Sequence, residues 1–136
     1  MGADTGGFLQ IGQVAERTEL SLKTIRHYDE LALVQPSARS SGGFRLYTTA
    51  DVDRLLLIRR MKPLGFTLAE MKQLLDAIEV LDDQATTTQQ RAAASAELLI
   101  YKDKSHDSAE RLRRQLAYAE EFTDLLTARA SATPRQ

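Results

Sequence analysis

Four polar side chains recur at helical spacing early in the chain, where they could form hydrogen bonds to nucleic acid. They are Lys23, Thr24, Arg26 and His27. Each can donate to a phosphate oxygen or a base edge, and a helix about 10–12 Å across fits a major groove about 12 Å wide. We interpret His27 as a surface residue at the groove edge rather than as a pH sensor or a ligand. The pattern therefore predicts one helix face suited to a DNA groove.

A second group of donors surrounds a segment rich in serine and glycine. Arg39 and Arg45 flank the segment, and Tyr47 adds a hydroxyl. Residues 44–47 alternate apolar with other side chains, which predicts a small β-hairpin with its tip near Gly42–Gly43. Because small residues at the tip let backbone N–H groups approach phosphates, this hairpin is a second predicted contact with DNA.

Two short helices are predicted to position the first group of donors. Apolar residues at Ile11 and Val14 predict a first helix over about residues 12–18. Ser21 is the predicted N-cap of a second helix, which ends near Leu31. Only two or three residues separate the helices, which is typical of a helix-turn-helix. The second helix then carries the donors.

Two further helices are predicted after the hairpin. The third begins at Thr48 or Thr49 and ends before a Pro-Gly turn. Arg59 and Lys62 lie near its end, where they are predicted to reach a more distant phosphate. The fourth begins with a capping box over residues 67–70 and continues with apolar side chains at helical spacing.

A long helix is predicted over residues 91–129, which contain no glycine or proline. Such a helix is about 60 Å long at about 1.5 Å per residue. Its apolar residues form one stripe, which consists of Leu98, Tyr101, Leu112, Leu116, Ala119, Phe122 and Leu126. The alternative is a stripe folded back on its own domain. Because the short chain has little material to cover the stripe, we predict that a second copy covers it in a homodimer.

These elements together predict a mainly α fold. It is a winged helix-turn-helix domain with a small β-hairpin wing, followed by a long dimerising helix. The predicted segments are a disordered start (1–7), the winged helix-turn-helix domain (8–80), a linker (81–90), the dimerisation helix (91–129) and a frayed end (130–136).

The amino-acid composition argues against several classes of protein. The 136 residues include no cysteine and two histidines, which argues against metal sites, so we expect no metal and no cofactor. No catalytic arrangement of side chains indicates an enzyme. Residues 17–62 carry nine basic and five acidic side chains although the net charge of the chain is −1. This basic first half suits an anionic surface, and an ordinary solvated surface of mixed charge explains it equally well. The longest apolar stretch is too short to span a bilayer, and we expect a cytoplasmic protein.

Three segments, residues 24–29, 42–47 and 64–70, resemble the MerR family of bacterial transcription regulators in order and spacing. The likeness runs from about Ile11 to Leu75. It implies a winged helix-turn-helix, a second helix pair and a long helix that pairs with its dimer mate as an antiparallel coiled coil. It also implies a palindromic operator in promoter DNA, whose spacer the dimer distorts when an effector binds, and RNA polymerase as a partner.

Carried over by position, the resemblance assigns DNA contacts to eight residues. They are Lys23, Arg26 and Tyr28 on the recognition helix, Arg39, Phe44 and Arg45 in the wing, and Arg59 and Lys62 at outer phosphates. Tyr28 and Phe44 are as much packing residues as contact residues. The chain departs from the family at Glu19 and Ala32, where glycine is usual, and at His27, where an aromatic is usual. It also lacks the cysteines of metal-sensing members, so the effector, a small molecule if there is one, stays unidentified.

Two other functions are open at this point. One is an architectural DNA-binding module, such as an excisionase-like accessory factor, which shares the winged fold but has no effector response of its own. The other is a protein-binding adaptor that uses the long helix. The length of that helix favours a transcription regulator over the first alternative. The second would leave Arg39, Arg45 and Lys62 without a role.

Overall fold

The computed structural model describes residues 7–132, which are mostly helical and fall into two units that meet after Leu98. Its elements in chain order are β1 (Leu9–Gln10), α1 (Ile11–Thr18), α2 (Leu22–Glu30), β2 (Ala38–Arg39), β3 (Arg45–Tyr47), α3 (Thr49–Met61), a 3-10 turn (Lys62–Leu64), α4 (Leu68–Asp82) and α5 (Thr88–Ser131). The mainly α prediction with a small wing and a long C-terminal helix is confirmed.

The two helices of the predicted helix-turn-helix are present, and local capping sets where they begin. The Gln10 side chain and that of Gln13 form a capping box at the start of α1. The Ser21 hydroxyl accepts a hydrogen bond from the backbone N–H of Thr24 at 3.0 Å, which confirms Ser21 as the N-cap of α2. A capped start satisfies backbone donors that a helix otherwise leaves unpaired.

The two helices end in left-handed backbone at the positions where the resemblance expects glycine. Glu19 has φ 59° and Ala32 has φ 56°, and within residues 7–132 these are the two residues other than glycine with positive φ. At Glu19, the N–H donates to the carbonyl of Ala15 at 2.9 Å, which closes the last turn of α1. A Cβ in this region is sterically unfavourable, so both positions carry backbone strain.

The wing is part of a three-stranded antiparallel sheet rather than a lone hairpin. The strand order is β1-β3-β2, with Leu9 opposite Tyr47 and Arg39 opposite Arg45. The tip closes through the N–H of Gly43, which donates to the carbonyl of Ser40 at 2.8 Å. Strand β1 was not predicted, because a two-residue strand has no periodicity to detect.

The core of the first unit lies where α1 packs against α2 and α3. Val14, Ile25, Leu55 and Ile58 are fully buried there. Burying one such side chain contributes about 1.5–3 kcal/mol. This shared core holds α2 in place from one side and leaves its other side exposed.

The third helix begins after Thr48, one of its two predicted caps, and the fourth begins at its predicted capping box. Thr48 caps α3, and Asp51 closes the box; its buried carboxylate accepts from the backbone N–H of Thr48 at 2.9 Å and from the hydroxyl of Ser37 at 2.6 Å. Thr67 and Glu70 form the box of α4. Both boxes combine a threonine with an acid three residues later, which is a local signal that sequence shows directly.

The long helix α5 has 44 residues, which corresponds to about 66 Å. It begins at Thr88 and ends at Ser131, so it extends beyond the predicted 91–129 at both ends and leaves only residues 83–87 between α4 and α5. Two residues of the predicted frayed end are therefore helical. The rest of that end beyond residue 132, and residues 1–6 of the predicted disordered start, lie outside the described residues.

Candidate nucleic-acid interface

The predicted recognition helix α2 is amphipathic in the expected sense. Ile25 and Tyr28 are buried on its inner side, whereas Lys23, Arg26 and His27 are exposed on its outer side. Thr24 is half-buried, and its Oγ1 accepts a hydrogen bond from the Ser21 hydroxyl at 2.8 Å. Three donors thus lie on the exposed face of a helix whose inner side is fixed in the core. The fourth, Thr24, also helps to cap that helix.

Lys62 lies next to this face although it is 35 residues further along the chain than His27. A surface depression of about 260 Å³ is lined by Lys23, Thr24, His27, Tyr28 and Lys62. The rings of His27 and Tyr28 are 6.4 Å apart and tilted by 37°. The depression therefore brings two lysines and an imidazole together around a buried tyrosine ring. The two lysines make this surface suited to the phosphate backbone of DNA.

The wing extends this surface on the other side of α2. A groove of about 330 Å³ is lined by Gln10, Ile11, Gly12, Arg26, Gly43, Phe44 and Arg45. The groove joins the first turn of α1, the exposed face of α2 and the tip of the wing. Phe44 is 73% exposed, so it is not a core residue and is free to touch a partner. Arg26 and Arg45 reach the same groove from different elements.

Both wing arginines form ion pairs with Asp29 on α2. The Oδ2 atom of Asp29 accepts from Nε of Arg45 at 2.7 Å and from Nη2 of Arg39 at 3.3 Å. The hydrogen bond to Asp29 is the main cause that raises the pKa of Arg45 above its usual value. Asp29 was not among the predicted site residues, because its partners lie 10 and 16 residues away and no local pattern links them.

Tyr47 does not offer its hydroxyl to solvent, contrary to the prediction from the sequence. The residue is fully buried, and its hydroxyl has no hydrogen-bond partner among the described residues. Burial is also the main cause that raises the pKa of Tyr47. The error follows from β1, because that undetected strand pairs with β3 and makes Tyr47 part of a central strand.

Arg59 links α3 to the end of α1. Its Nη1 donates to the carbonyl of Thr18 at 2.6 Å and lies 3.7 Å from Oε2 of Glu19. This carbonyl belongs to the last turn of a helix, where intrahelical partners are missing. The structure thus shows Arg59 in an internal contact, while Lys62 is exposed. A contact between Arg59 and a phosphate stays a prediction, and the other N–H groups of its guanidinium would make it.

The apolar stripe of α5 differs between its two ends. Four large residues of its later part, spaced at helical intervals, are exposed: Leu112, Leu116, Phe122 and Leu126. Ala119 is exposed among them, and Leu98 is half-buried. Tyr101 is only 7% exposed in a single copy, in contrast to these later residues, and its place in the dimer interface stays a prediction. Tyr118 and Leu125 are also exposed and were not selected, because they lie beside the seven-residue repeat rather than on it.

Metal-ion sites and membrane-spanning helices are both absent between residues 7 and 132. No group of three or more metal-ligating side chains could hold an ion in that range. None of the helices described there is both long and apolar enough to cross a membrane.

Two family models match the chain. One is described as "MerR HTH family regulatory protein" and matches residues 9–78. The other is described as "MerR, DNA binding" and matches residues 52–129. The two matches overlap and together take in the winged unit and nearly all of α5.

Individual relatives are similar over different lengths. The chain is 46% identical over 67 residues to the HTH-type transcriptional activator mta of Bacillus subtilis, which covers 49% of the chain and 26% of that protein. It is 34% identical over 110 residues to the HTH-type transcriptional regulator HmrR of Rhizobium leguminosarum bv. viciae, which covers 81% of the chain and 82% of that protein. The chain spans 26%, 53% and 60% of the lengths of the first three curated relatives it matches.

Solved structures share the fold. A MerR family transcriptional regulator from Bacillus thuringiensis matches with a TM-score of 0.68 at 19% identity. The match covers 89% of this chain and 98% of that chain. At this level of identity the likeness concerns the fold.

Proposed function

The chain belongs to the MerR family of helix-turn-helix regulators, and we propose on that basis that it is a homodimeric, sequence-specific transcription regulator that binds double-stranded DNA. The observation that carries the proposal is the exposed face of α2. Lys23, Arg26 and His27 project from a helix that Ser21 caps and that the core fixes on its other side. A helix held in this way can enter a major groove with little further ordering.

In this proposal, the wing and the turn after α3 supply the contacts with the phosphate backbone of the DNA. Arg45 and Arg39 flank the wing tip, and Lys62 lies beside the start of α2. Cations at these places neutralise phosphates and fix the register of the protein on the duplex. Base edges are then read by Lys23 and His27 on α2.

Dimerisation is proposed to use the exposed part of the apolar stripe on α5. Its large side chains, Leu112, Leu116, Phe122 and Leu126, would leave water when a second α5 packs against them. The family resemblance favours an antiparallel coiled coil. Two copies then present two recognition helices to successive major grooves of a palindromic operator.

The proposed role is regulatory rather than enzymatic and belongs in the cytoplasm, where bacterial DNA lies. In this mechanism the dimer binds within a promoter and distorts the spacer, so that RNA polymerase engages both promoter elements. A spacer of normal length between the two promoter elements would instead indicate that the protein simply represses the promoter.

Footprinting on DNA upstream of the chain's own gene tests the proposal. We expect two protected half-sites on one face of the duplex, inside a promoter spacer longer than normal. A Lys23→Ala/Arg26→Ala variant should lose the protection, whereas Lys72→Ala, which removes one cation from α4, should keep it. No protected site at low ionic strength, or equal protection by the double variant, would contradict the proposal.

A further inference from the structure

We infer that Asp29 is a positioning residue for DNA recognition, which holds the two wing arginines at a fixed orientation to the recognition helix. This inference rests on the proposed function, because the arginines matter here as contacts with DNA. It adds an acidic residue to an interface whose other charged side chains are basic. Asp29 acts through Arg39 and Arg45 and not by touching DNA itself.

The geometry is that of one acceptor shared between two donors from different strands. Oδ2 of Asp29 accepts from Nε of Arg45 on β3 at 2.7 Å and from Nη2 of Arg39 on β2 at 3.3 Å. The Nη1 of Arg39 also donates to the carbonyl of Gly43 at 3.1 Å. A continuous series of hydrogen bonds therefore runs from α2 through Arg39 to the wing tip.

The surroundings strengthen the pair with Arg45 more than the pair with Arg39. The Asp29 side chain is only 10% exposed, while those of Arg45 and Arg39 are 24% and 50% exposed. Charge-assisted hydrogen bonds that are shielded from water are stronger and more directional than exposed ones. Arg45 is thus the better fixed of the two, and it is also the one that lines the groove with Arg26.

An acid is otherwise unfavourable at this position. Asp29 lies in the last turn of α2, where the helix dipole disfavours a negative charge. It also lies on the helix proposed to approach DNA phosphates, which would repel it. The ion pairs with the arginines offset both effects, and they give the carboxylate a role that a neutral side chain could not fill.

The wing needs such an anchor because its strands are short. Strands β2 and β3 have two and three residues, and a small hairpin of this kind has little stability of its own. The link to α2 ties the direction of the wing to that of the recognition helix. Binding to the operator then requires less ordering of the wing than binding by a free hairpin would.

The test compares three variants of the full chain for affinity to operator and to random duplex DNA. Asp29→Asn keeps the shape and removes the charge, and we expect about tenfold weaker operator binding with unchanged or slightly tighter binding to random DNA. Glu30→Gln removes the same charge from the next, exposed residue and should leave the ratio of the two affinities unchanged. Asp29→Glu keeps the charge and should restore the ratio to within about threefold of the wild type.

A second readout does not involve DNA. In the free protein, we expect the Nε–H of Arg45 to exchange slowly with water in NMR spectra of the wild type and rapidly in Asp29→Asn. Slow exchange in a protein that binds no DNA would uphold the pair and refute the proposed function. The inference would be overturned if Asp29→Asn left the ratio of operator affinity to random-DNA affinity unchanged. It would also be overturned if Glu30→Gln lowered that ratio as much as Asp29→Asn does.

Discussion

Individual arginines in this interface have different physical roles. Arg26 is exposed on α2, Arg45 is held by Asp29, and Arg59 caps the last turn of α1. Only the first two line the groove at the wing. The positive charge of an arginine therefore does not show which of these roles it has. Substitutions of single residues distinguish the roles.

Substitution of wing and helix donors should affect affinity in two distinguishable ways. Arg45→Ala removes a phosphate contact that fixes the register of the protein on its operator, so we expect weaker binding to all operator variants by a similar factor. Lys23→Ala and His27→Ala remove donors that face the major groove, so we expect them to change which bases are preferred. Binding measured on a set of operator variants checks both. Equal losses on every sequence for all three variants would mean that α2 only positions the protein.

Tyr47→Phe should not destabilise the protein. The hydroxyl is buried without a hydrogen-bond partner among the described residues, so its removal should raise the free energy of unfolding by up to about 1 kcal/mol. Because burial raises the pKa of Tyr47, the wild type should also lose stability relative to the variant as the pH rises above about 10.

Urea denaturation of both proteins measures the effect, with Tyr118→Phe at an exposed tyrosine as the control. We expect that control to change stability by less than about 0.5 kcal/mol. A loss of more than about 1 kcal/mol in Tyr47→Phe would mean that the hydroxyl does have a partner.

Residue types and spacing predicted the exposed face of α2 but not the roles that depend on distant partners. Lys23, Arg26 and His27 share a helix with the apolar residues that bury its other side, so the pattern is local. The role of Asp29 depends on partners in the wing, and the burial of Tyr47 depends on a strand 38 residues earlier. Neither relation leaves a periodic signal in the sequence.

At the scale of elements, the ends of helices were predictable where side chains make the cap. Ser21, Thr48 and Thr67 each accept from the backbone N–H three residues ahead, as their types suggest. The length of α5 was underestimated, because its first turn is threonine- and glutamine-rich and resembles a loop. Thr87 accepts from the N–H of Gln90 at 3.0 Å and starts that helix.

Ala32→Gly should stabilise the turn after α2. Ala32 has φ 56°, where a Cβ is strained and glycine is not, so we expect a gain of about 0.5–1 kcal/mol in the free energy of unfolding. Ala92→Gly, at an exposed position inside α5, should instead lose about 1 kcal/mol. Thermal or urea unfolding compares the two, and a loss of stability in both variants would contradict the account of the turn.

For the molecule as a whole, the proposed function requires two copies joined through α5. Leu116→Glu places a charge in the middle of the exposed apolar stripe, so we expect a lone subunit in solution and the loss of operator binding. Gln115→Glu adds the same charge at the neighbouring exposed position and should leave the dimer intact. Sedimentation of both variants checks this, and a Leu116→Glu protein that stays dimeric would place the interface elsewhere.

The mass of the complex with DNA shows whether two copies bind one operator together. Native mass spectrometry of the chain mixed with one operator duplex at low ionic strength counts the copies bound. We predict two chains per duplex, with the recognition helix of each copy in its own half-site. One chain per duplex, or no retained duplex at all, would contradict the account.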